Sequence, residues 1–485
     1  MPDGVTTTAV GLRSERGPVL LALMVSTGLI AIDATVLATA VSTVSADLGG
    51  YSQFPWLFSA YLLAQAVTVP VYSKLADTFG RKPLMLLGIG LFLVGSVLCG
   101  LAWSMPALIA FRVVQGLGAG AVMPMAITIA GDIYTVAERA TAQGYIASVW
   151  AMASVVGPLL GGVFAQWDAW RWIFFINVPL CVVAGWLIVR DFDESALRAA
   201  PRRRHRIDVA GAILVTAGSA LAILGVLEGG VSWPWLSLPS AVVFGVALVL
   251  LAAFVLVERR AAEPILPLGV LSRRLIWSTS AISLSVGAGL IGLTSFMPSY
   301  LQYGAGVTPL VAGFAVAALT LGWPISASLS GRFLYLPLGF RPTVQIGTAI
   351  AIVGMVVLTV LGPHPTVIGA TIGCLVVGFG FGLIASPSLI AAQSSVAWEE
   401  RAVVTGANMF ARSIGSSVGA AVYGAISTAA LRGRSQTDPV AIAEAGTAVM
   451  IAVLVTVAAI GVFSLAMPRV RAEDAHVPAT VAAEV

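Results

Sequence analysis

Fourteen stretches of this chain stay apolar for about 20 residues or more, the length an α-helix needs to cross the hydrocarbon of a bilayer, and mostly short connections separate them. They run over 18–45, 54–74, 84–103, 106–130, 142–166, 172–190, 208–228, 235–257, 276–302, 308–330, 343–362, 366–390, 402–428 and 440–467. In hydrocarbon a backbone must satisfy its own hydrogen bonds, so the stretches predict helices and the chain an all-α, multi-pass membrane protein. Only 10% of the residues are charged, against roughly 25% in soluble domains, and no soluble domain of useful size is left over.

The distribution of lysine and arginine sets the orientation. With the N-terminus placed in the cytoplasm, inner connections hold 21 of the 26 basic residues, outer ones hold only Arg171, Arg432 and Arg434, and Arg112 and Arg412 fall within spans. Both termini are therefore expected in the cytoplasm, the chain in the plasma membrane, and its net charge of +4 is topology rather than a nucleic-acid footprint. No small-residue cleavage pattern follows the first apolar run, so that run is expected to stay as a span. Cys99, Cys181 and Cys374 lie in apolar runs without metal-ligand spacing, and His205, His364 and His476 lie in loops or a tail. No nucleophile with its base and no metal constellation appears, so an enzyme is not expected, nor a cofactor or metal.

The chain repeats itself. Glu138-Arg139-Ala140 with Gly144 recurs 262 residues later as Glu400-Arg401-Ala402 with Gly406, and Gly116, Gly118 and Gly120 recur at the same offset as Gly378, Gly380 and Gly382. Gly80-Arg81-Lys82-Pro83 has a partial echo 259 residues on in Gly339-Phe340-Arg341-Pro342. A duplicated bundle of six helices with two more inserted between the copies accounts for this. The expected organisation is a tail over 1–17, a six-helix bundle over 18–190, a basic linker over 191–207, the inserted pair over 208–257, a linker over 258–275, a second bundle over 276–467 and a tail over 468–485. The linker run Arg202-Arg203-Arg204-His205-Arg206 reads as a contact for anionic lipid headgroups.

Asp33 interrupts an otherwise uncharged span, and a carboxylate there is costly enough to predict a proton or cation site facing a protein-lined cavity. Arg112 lies about 10 Å inside the fourth span, within guanidinium reach of the expected depth of Asp33. Asp77, four residues before Arg81, can pair with it or with a helix N-terminus across the interface between copies. Gly157, Gly161 and Gly162 with Pro158 place small residues one turn apart and permit a close approach or a bend in the fifth span.

Several of these residues carry a resemblance. Ser73-Lys74-Leu75-Ala76-Asp77-Thr78-Phe79-Gly80-Arg81-Lys82-Pro83 resembles the signature loop of the major facilitator superfamily. With Ile32-Asp33-Ala34-Thr35-Val36, Arg112-Val113-Val114-Gln115-Gly116, Gly157-Pro158-Leu159-Leu160-Gly161-Gly162 and Trp170-Arg171-Trp172-Ile173-Phe174-Phe175-Ile176-Asn177-Val178-Pro179, the set resembles its fourteen-helix drug:proton antiporters, the EmrB/QacA-like multidrug efflux proteins, across essentially the whole chain. Ser73 departs from the loop's usual glycine, and the second copy around Gly331 to Pro342 lacks an acid.

The resemblance implies a major facilitator fold and proton-coupled efflux of lipophilic, cationic or neutral small molecules by alternating access. Export of one endogenous secondary metabolite or lipid-like compound is the alternative, and proton-coupled uptake a more distant one. It also implies proton coupling at Asp33 and Arg112, gating at Asp77, Gly80, Arg81 and Lys82, and a hinge at Gly157, Pro158, Gly161 and Gly162. Substrate-contact candidates are Trp56, Tyr61, Gln65, Trp150, Phe296, Tyr300 and Asn408, with Glu228 as an uncertain second acid. Trp170, Trp233 and Trp235 read as interfacial belt residues, and Arg412 as a side chain snorkelling from the inner end of its span. The partners expected are substrate, protons and membrane lipid, with the chain working as a monomer and binding no nucleic acid.

Overall fold

A computed structural model of the chain describes residues 10–470 apart from 38–40, 50–52, 54, 168, 195–207, 231, 262–263, 363–364 and 432–437. The basic run Arg202 to Arg206 and most of both tails thus lie outside the described residues. In chain order the helices are α1 (Gly17–Val36), α2 (Val41–Leu48), α3 (Pro55–Phe79), α4 (Arg81–Gly100), α5 (Met105–Ile133), α6 (Val136–Gln166), α7 (Trp172–Phe175), α8 (Asn177–Asp191) and α9 (Val209–Glu228). They continue as α10 (Leu238–Glu258), α11 (Leu268–Leu271), α12 (Arg274–Gly304), α13 (Pro309–Ser330), α14 (Leu336–Leu338), α15 (Phe340–Val360), α16 (Val367–Ser394), α17 (Arg401–Ala430) and α18 (Pro439–Ala466). A π-helical turn, Gly331–Tyr335, links α13 to α14.

Among the described residues, twelve helical segments are long and apolar enough to cross a membrane, and no strand forms. Two more helices of similar length, α3 and α17, carry more polar residues and lie where the two copies meet. The chain is a multi-pass membrane protein.

The two copies build the same packing twice. In the first, α1 packs on α6, and α3 and α4 on α5; in the second, α12 packs on α17, and α13 and α15 on α16. Lipid tails give apolar helices little reason to associate, so close backbone approach must hold them together. At Gly116 an ideal Cβ would fall 2.5 Å from the Tyr61 carbonyl oxygen, and at Gly378, 262 residues later, 2.0 Å from that of Leu319. The inserted α9 and α10 pack on each other, and α9 rests on α3 and α17. Each half has its own apolar core, and the halves meet where α6 touches α13 and α17 touches α3.

Two expectations need correction, the extent of the first span and the place of Trp170. The first span is not continuous over 18–45: α1 ends at Val36, and Val41–Leu48 forms a separate short helix. Ser42, Thr43, Ser45 and Asp47 make that segment too polar for hydrocarbon, and Asp47 pairs with Arg171 at 2.7 Å. The sixth span holds, since Trp172–Asp191 is one apolar segment in which a turn at Ile176, itself with helical backbone angles, separates α7 from α8. Trp170 is no belt residue, being 1% exposed with its indole N–H donating to Asp47 at 3.0 Å.

Candidate functional site

Asp33 lies three residues before the end of α1, closer to that end than a span over 18–45 implies, and this brings it level with Arg112 on α5. The guanidinium bonds Asp33 Oδ2 at 2.7 Å, with both side chains 1% exposed. Gln115, one turn beyond Arg112, accepts from the same guanidinium nitrogen at 2.7 Å and donates to Asp33 Oδ1 at 2.8 Å. Asn177, at the start of α8, donates to Asp33 Oδ1 at 3.1 Å. Ser96 on α4 ties both amides in, accepting from Gln115 at 2.8 Å and from Asn177 at 3.4 Å. Arg112 also donates to the Leu57 carbonyl at 3.2 Å, and its guanidinium carbon sits 4.1 Å from the centroid of the Tyr61 ring.

This geometry corrects one expectation: in this conformation Asp33 faces no cavity. It is sealed in the N-terminal half with both oxygens occupied, because four helices converge on it. A buried ion pair is costly unless its other hydrogen-bonding positions are filled, and Gln115, Asn177 and Ser96 fill them. The signal for Gln115 was present in its i, i+3 spacing from Arg112. Asn177 lies in the Trp170 to Pro179 run that carries the resemblance, but nothing in its spacing tied it to Asp33.

The second cluster joins the halves at the face that carries both chain ends. Asp77 bonds Arg81 at 2.7 Å and also accepts from the backbone N–H groups of Ala402 at 3.2 Å and Val403 at 2.9 Å, at the N-terminus of α17. A carboxylate there meets both unpaired donors and the positive end of the helix dipole. Arg81 reaches Asp132 at 3.2 Å, donates to the Trp398 carbonyl at 2.6 Å and stacks 3.5 Å above the Trp398 ring. Asp132, which sequence reasoning missed, binds Arg401 of the other half at 3.2 Å. Gly80 has φ 109°, a backbone conformation that favours glycine. Lys82 stays within its own half, donating to the carbonyls of Val189 and Phe192 at 2.9 and 2.6 Å.

Gly157 marks the α6–α1 contact: an ideal Cβ would fall 2.0 Å from Thr35 Oγ1, two residues after Asp33. Gly161 is buried on the same helix, while the surroundings of Pro158 and Gly162 lie outside the described residues.

The substrate-contact candidates do not converge. The Tyr61 ring packs on Arg112 while its buried hydroxyl has no hydrogen-bond partner among the described residues, and Tyr300 is 1% exposed with its hydroxyl donating to the Gly362 carbonyl. Asn408 is buried against Ser283 and Thr279 of α12, and Glu228 accepts from Ser232 at the C-terminal end of α9. Trp56, Gln65, Trp150 and Phe296 are half-buried. A cleft of about 650 Å³ between α6 and α13 is lined by Tyr145, Met152, Val155, Leu321 and Ile325 among others, and by none of the candidates. Arg412 stands eleven residues into α17, about 16 Å from the start of that helix, with its guanidinium turned to the Trp323 ring.

The sequence matches the Major Facilitator Superfamily over residues 23–214 and 195–420. It is 32% identical over 419 residues to the Bacillus subtilis multidrug transporter protein MdtP, covering 86% of this chain and 76% of the relative. Multidrug resistance protein 3 of Bacillus subtilis is 32% identical over 410 residues, covering 84% and 79%, and the efflux pump dotC of Dothistroma septosporum is 31% identical over 405 residues, covering 82% and 69%. Among solved structures, the proton:xylose symporter XylE superimposes with a TM-score of 0.62 at 14% identity, covering 94% of this chain and 96% of that one. A bacterial homologue of the iron transporter ferroportin in its outward-facing state gives 0.63 at 11% identity, covering 92% and 99%. At such identities the likeness is one of fold.

Proposed function

Because this chain belongs to the major facilitator superfamily, a class of transporters rather than enzymes, we propose that it exports lipophilic small molecules in exchange for protons. The observation that carries this reading is the sealed Asp33–Arg112 pair, an ionisable couple inside one half of a two-lobed transporter. Protonation of Asp33 removes the negative charge that holds Arg112, so a proton changes the packing of α1, α4, α5 and α8 together. Asp33 takes its proton with the outer side open and gives it up with the inner side open. Multidrug and efflux names among the relatives support the direction of transport.

The finer assignment is to the fourteen-helix drug:proton antiporters, with α3 and α17 counted as spans beside the twelve apolar ones. On this reading the chain sits in the plasma membrane with both termini cytoplasmic, two six-helix bundles flank the inserted α9 and α10, and a monomer works without a cofactor. The bonds of Asp77, Arg81, Asp132 and Arg401 then latch the cytoplasmic side, which makes this an outward-facing state. The cationic cargo expected from sequence loses its main support, since Asp33 offers no free charge here.

The test is efflux in inverted vesicles, with ethidium and a panel of neutral and anionic dyes, with and without an uncoupler, comparing wild type with Asp33→Asn. Export of at least one compound should require the gradient and vanish in the variant. Gradient-independent export, or full activity in Asp33→Asn, removes the antiport mechanism.

A further inference from the structure

On α17 in the C-terminal half, Arg412 is half-buried and has no acid within ion-pair distance among the described residues. Its Nε is out of solvent without a hydrogen-bond partner, and its guanidinium carbon lies 5.4 Å from the centroid of the Trp323 ring on α13. The helices α17 and α13 are the ones through which the C-terminal half meets α3 and α6. The Arg412 side chain thus reaches from one of these helices to the other within the C-terminal half. Gly287 of α12 makes the passage possible, since an ideal Cβ there would fall 2.1 Å from the Arg412 carbonyl oxygen and 3.0 Å from its Cγ.

An unpaired guanidinium at membrane depth is expensive, and one cation–π contact, on the order of 1 kcal/mol, does not offset that cost. The planar fork of donors matches a carboxylate or sulfonate, and the indole beside it matches an aromatic ring. Trp150 stands 262 residues before Arg412, on α6, the helix that faces α13. We infer that Arg412 and Trp323 form the recognition point for an aromatic organic monoanion. The inference rests on the export reading and names its cargo. An exported anion does not compete with the proton for Asp33, and an inside-negative potential drives both movements in the productive direction.

The experiment uses the purified full-length protein in detergent, with naphthalene-2-sulfonate as the anion and tetraphenylphosphonium as the cation, binding being followed by tryptophan fluorescence. Wild type should bind the sulfonate, Arg412→Gln should weaken it about tenfold or more, and Arg412→Lys, which keeps the charge but loses the planar fork, should fall between the two. Tetraphenylphosphonium should bind no more weakly to Arg412→Gln than to wild type, a selectivity that general damage to the fold does not produce. Absence of sulfonate binding to wild type, or an affinity unchanged in Arg412→Gln, overturns the proposal. Should Arg412→Gln not fold, Trp323→Leu takes its place, with a several-fold loss for the sulfonate expected and no loss overturning the proposal. Proteoliposomes separate the two readings: sulfonate binding without gradient-driven transport keeps the anion site and defeats export, whereas gradient-driven transport of the cation alone defeats the anion site and keeps export.

Discussion

The two halves share one architecture and differ in what they bury. Where the N-terminal half holds Arg112 and Gln115, the C-terminal half 262 residues later holds Cys374 and Val377, both in its apolar core. The first interior is organised around an ion pair and three neutral polar groups, whereas the matching depth of the second holds apolar side chains and its buried Asn408 bonds only the neutral Ser283 and Thr279. At the seam the order reverses, because the indole of Trp150 has Arg412 as its counterpart. A duplicated scaffold can thus bury a paired charge in one copy and leave a cation without an acid partner in the other.

The most damaging way to break this division is to leave one member of the buried pair alone. Asp33→Asn strands the Arg112 charge, and breaking such a pair costs about 3–5 kcal/mol. Thermal unfolding should fall sharply and gradient-driven export should be lost, while adding Arg112→Gln should recover stability but not transport. Cys374→Ala, at the matching depth in the other half, should cost only about 1 kcal/mol and leave export intact. Equal losses from Asp33→Asn and Cys374→Ala would show that burial, not charge, distinguishes the halves.

The same asymmetry recurs at the face bearing the termini. Asp77 holds the start of α17 through two backbone N–H groups and an ion pair, whereas on the other side of the seam the Tyr335 hydroxyl donates to the Val136 carbonyl at the start of α6. Charged hydrogen bonds contribute about 1.5–3 kcal/mol and neutral ones about 1 kcal/mol. Asp77→Asn should therefore speed hydrogen exchange at Ala402 and Val403 more than Tyr335→Phe speeds it at the start of α6. The reverse order would mean that the neutral latch is the stronger one.

Smaller effects sharpen the comparison at the glycines. Gly157 and, 262 residues on, Gly419 bring α6 against α1 and α17 against α12; an ideal Cβ would lie 2.0 Å from Thr35 Oγ1 in one case and 2.8 Å from the Ala288 Cα in the other. Either alanine should cost about 1–3 kcal/mol by overpacking. Only Gly157→Ala presses on the helix that carries Asp33, so only it should slow transport beyond what lost folded protein explains. Equal turnover per folded molecule in the two variants would reduce the motif to ordinary packing.

How much of this was legible follows from what each feature depends on. Span positions depend on hydropathy, a local property, and most helix ends fall within a few residues of the sequence reading. The break after Val36 was hidden because Val41 to Leu48 reads as a continuation until Asp47 is seen to meet Arg171. Asp33 and Arg112 stand out as charges in apolar runs, but Asn177 and Ser96 are ordinary polar residues whose role appears only once α4 and α8 close on α1. Asp132 was lost for the opposite reason: an acid near a helix end next to a loop looks like solvated surface. The neighbour of Arg412 was not legible, because a long cationic side chain in a span has an obvious escape to the headgroups and its contact with Trp323 depends on how α13 packs against α17.

The smallest effect tests whether charge in the N-terminal half matters because it is buried. Asp47 belongs to that half and pairs with Arg171, but their side chains are 47% and 41% exposed. The hydrogen bond from the Trp170 indole, together with that from Arg171, holds its carboxyl below the ordinary aspartate range. A depressed folded-state value contributes stability that is complete above the unfolded aspartate range, near pH 4, and is lost as pH falls below it. Solvent screens so exposed a pair, so Asp47→Asn should cost well under 1 kcal/mol at neutral pH and remove only a slight acid-side slope from a plot of thermal midpoint against pH. A loss approaching that of Asp33→Asn would mean that the outer helix α2 bears on the fold far more than its exposure implies, and that the contrast between the halves is not one of burial.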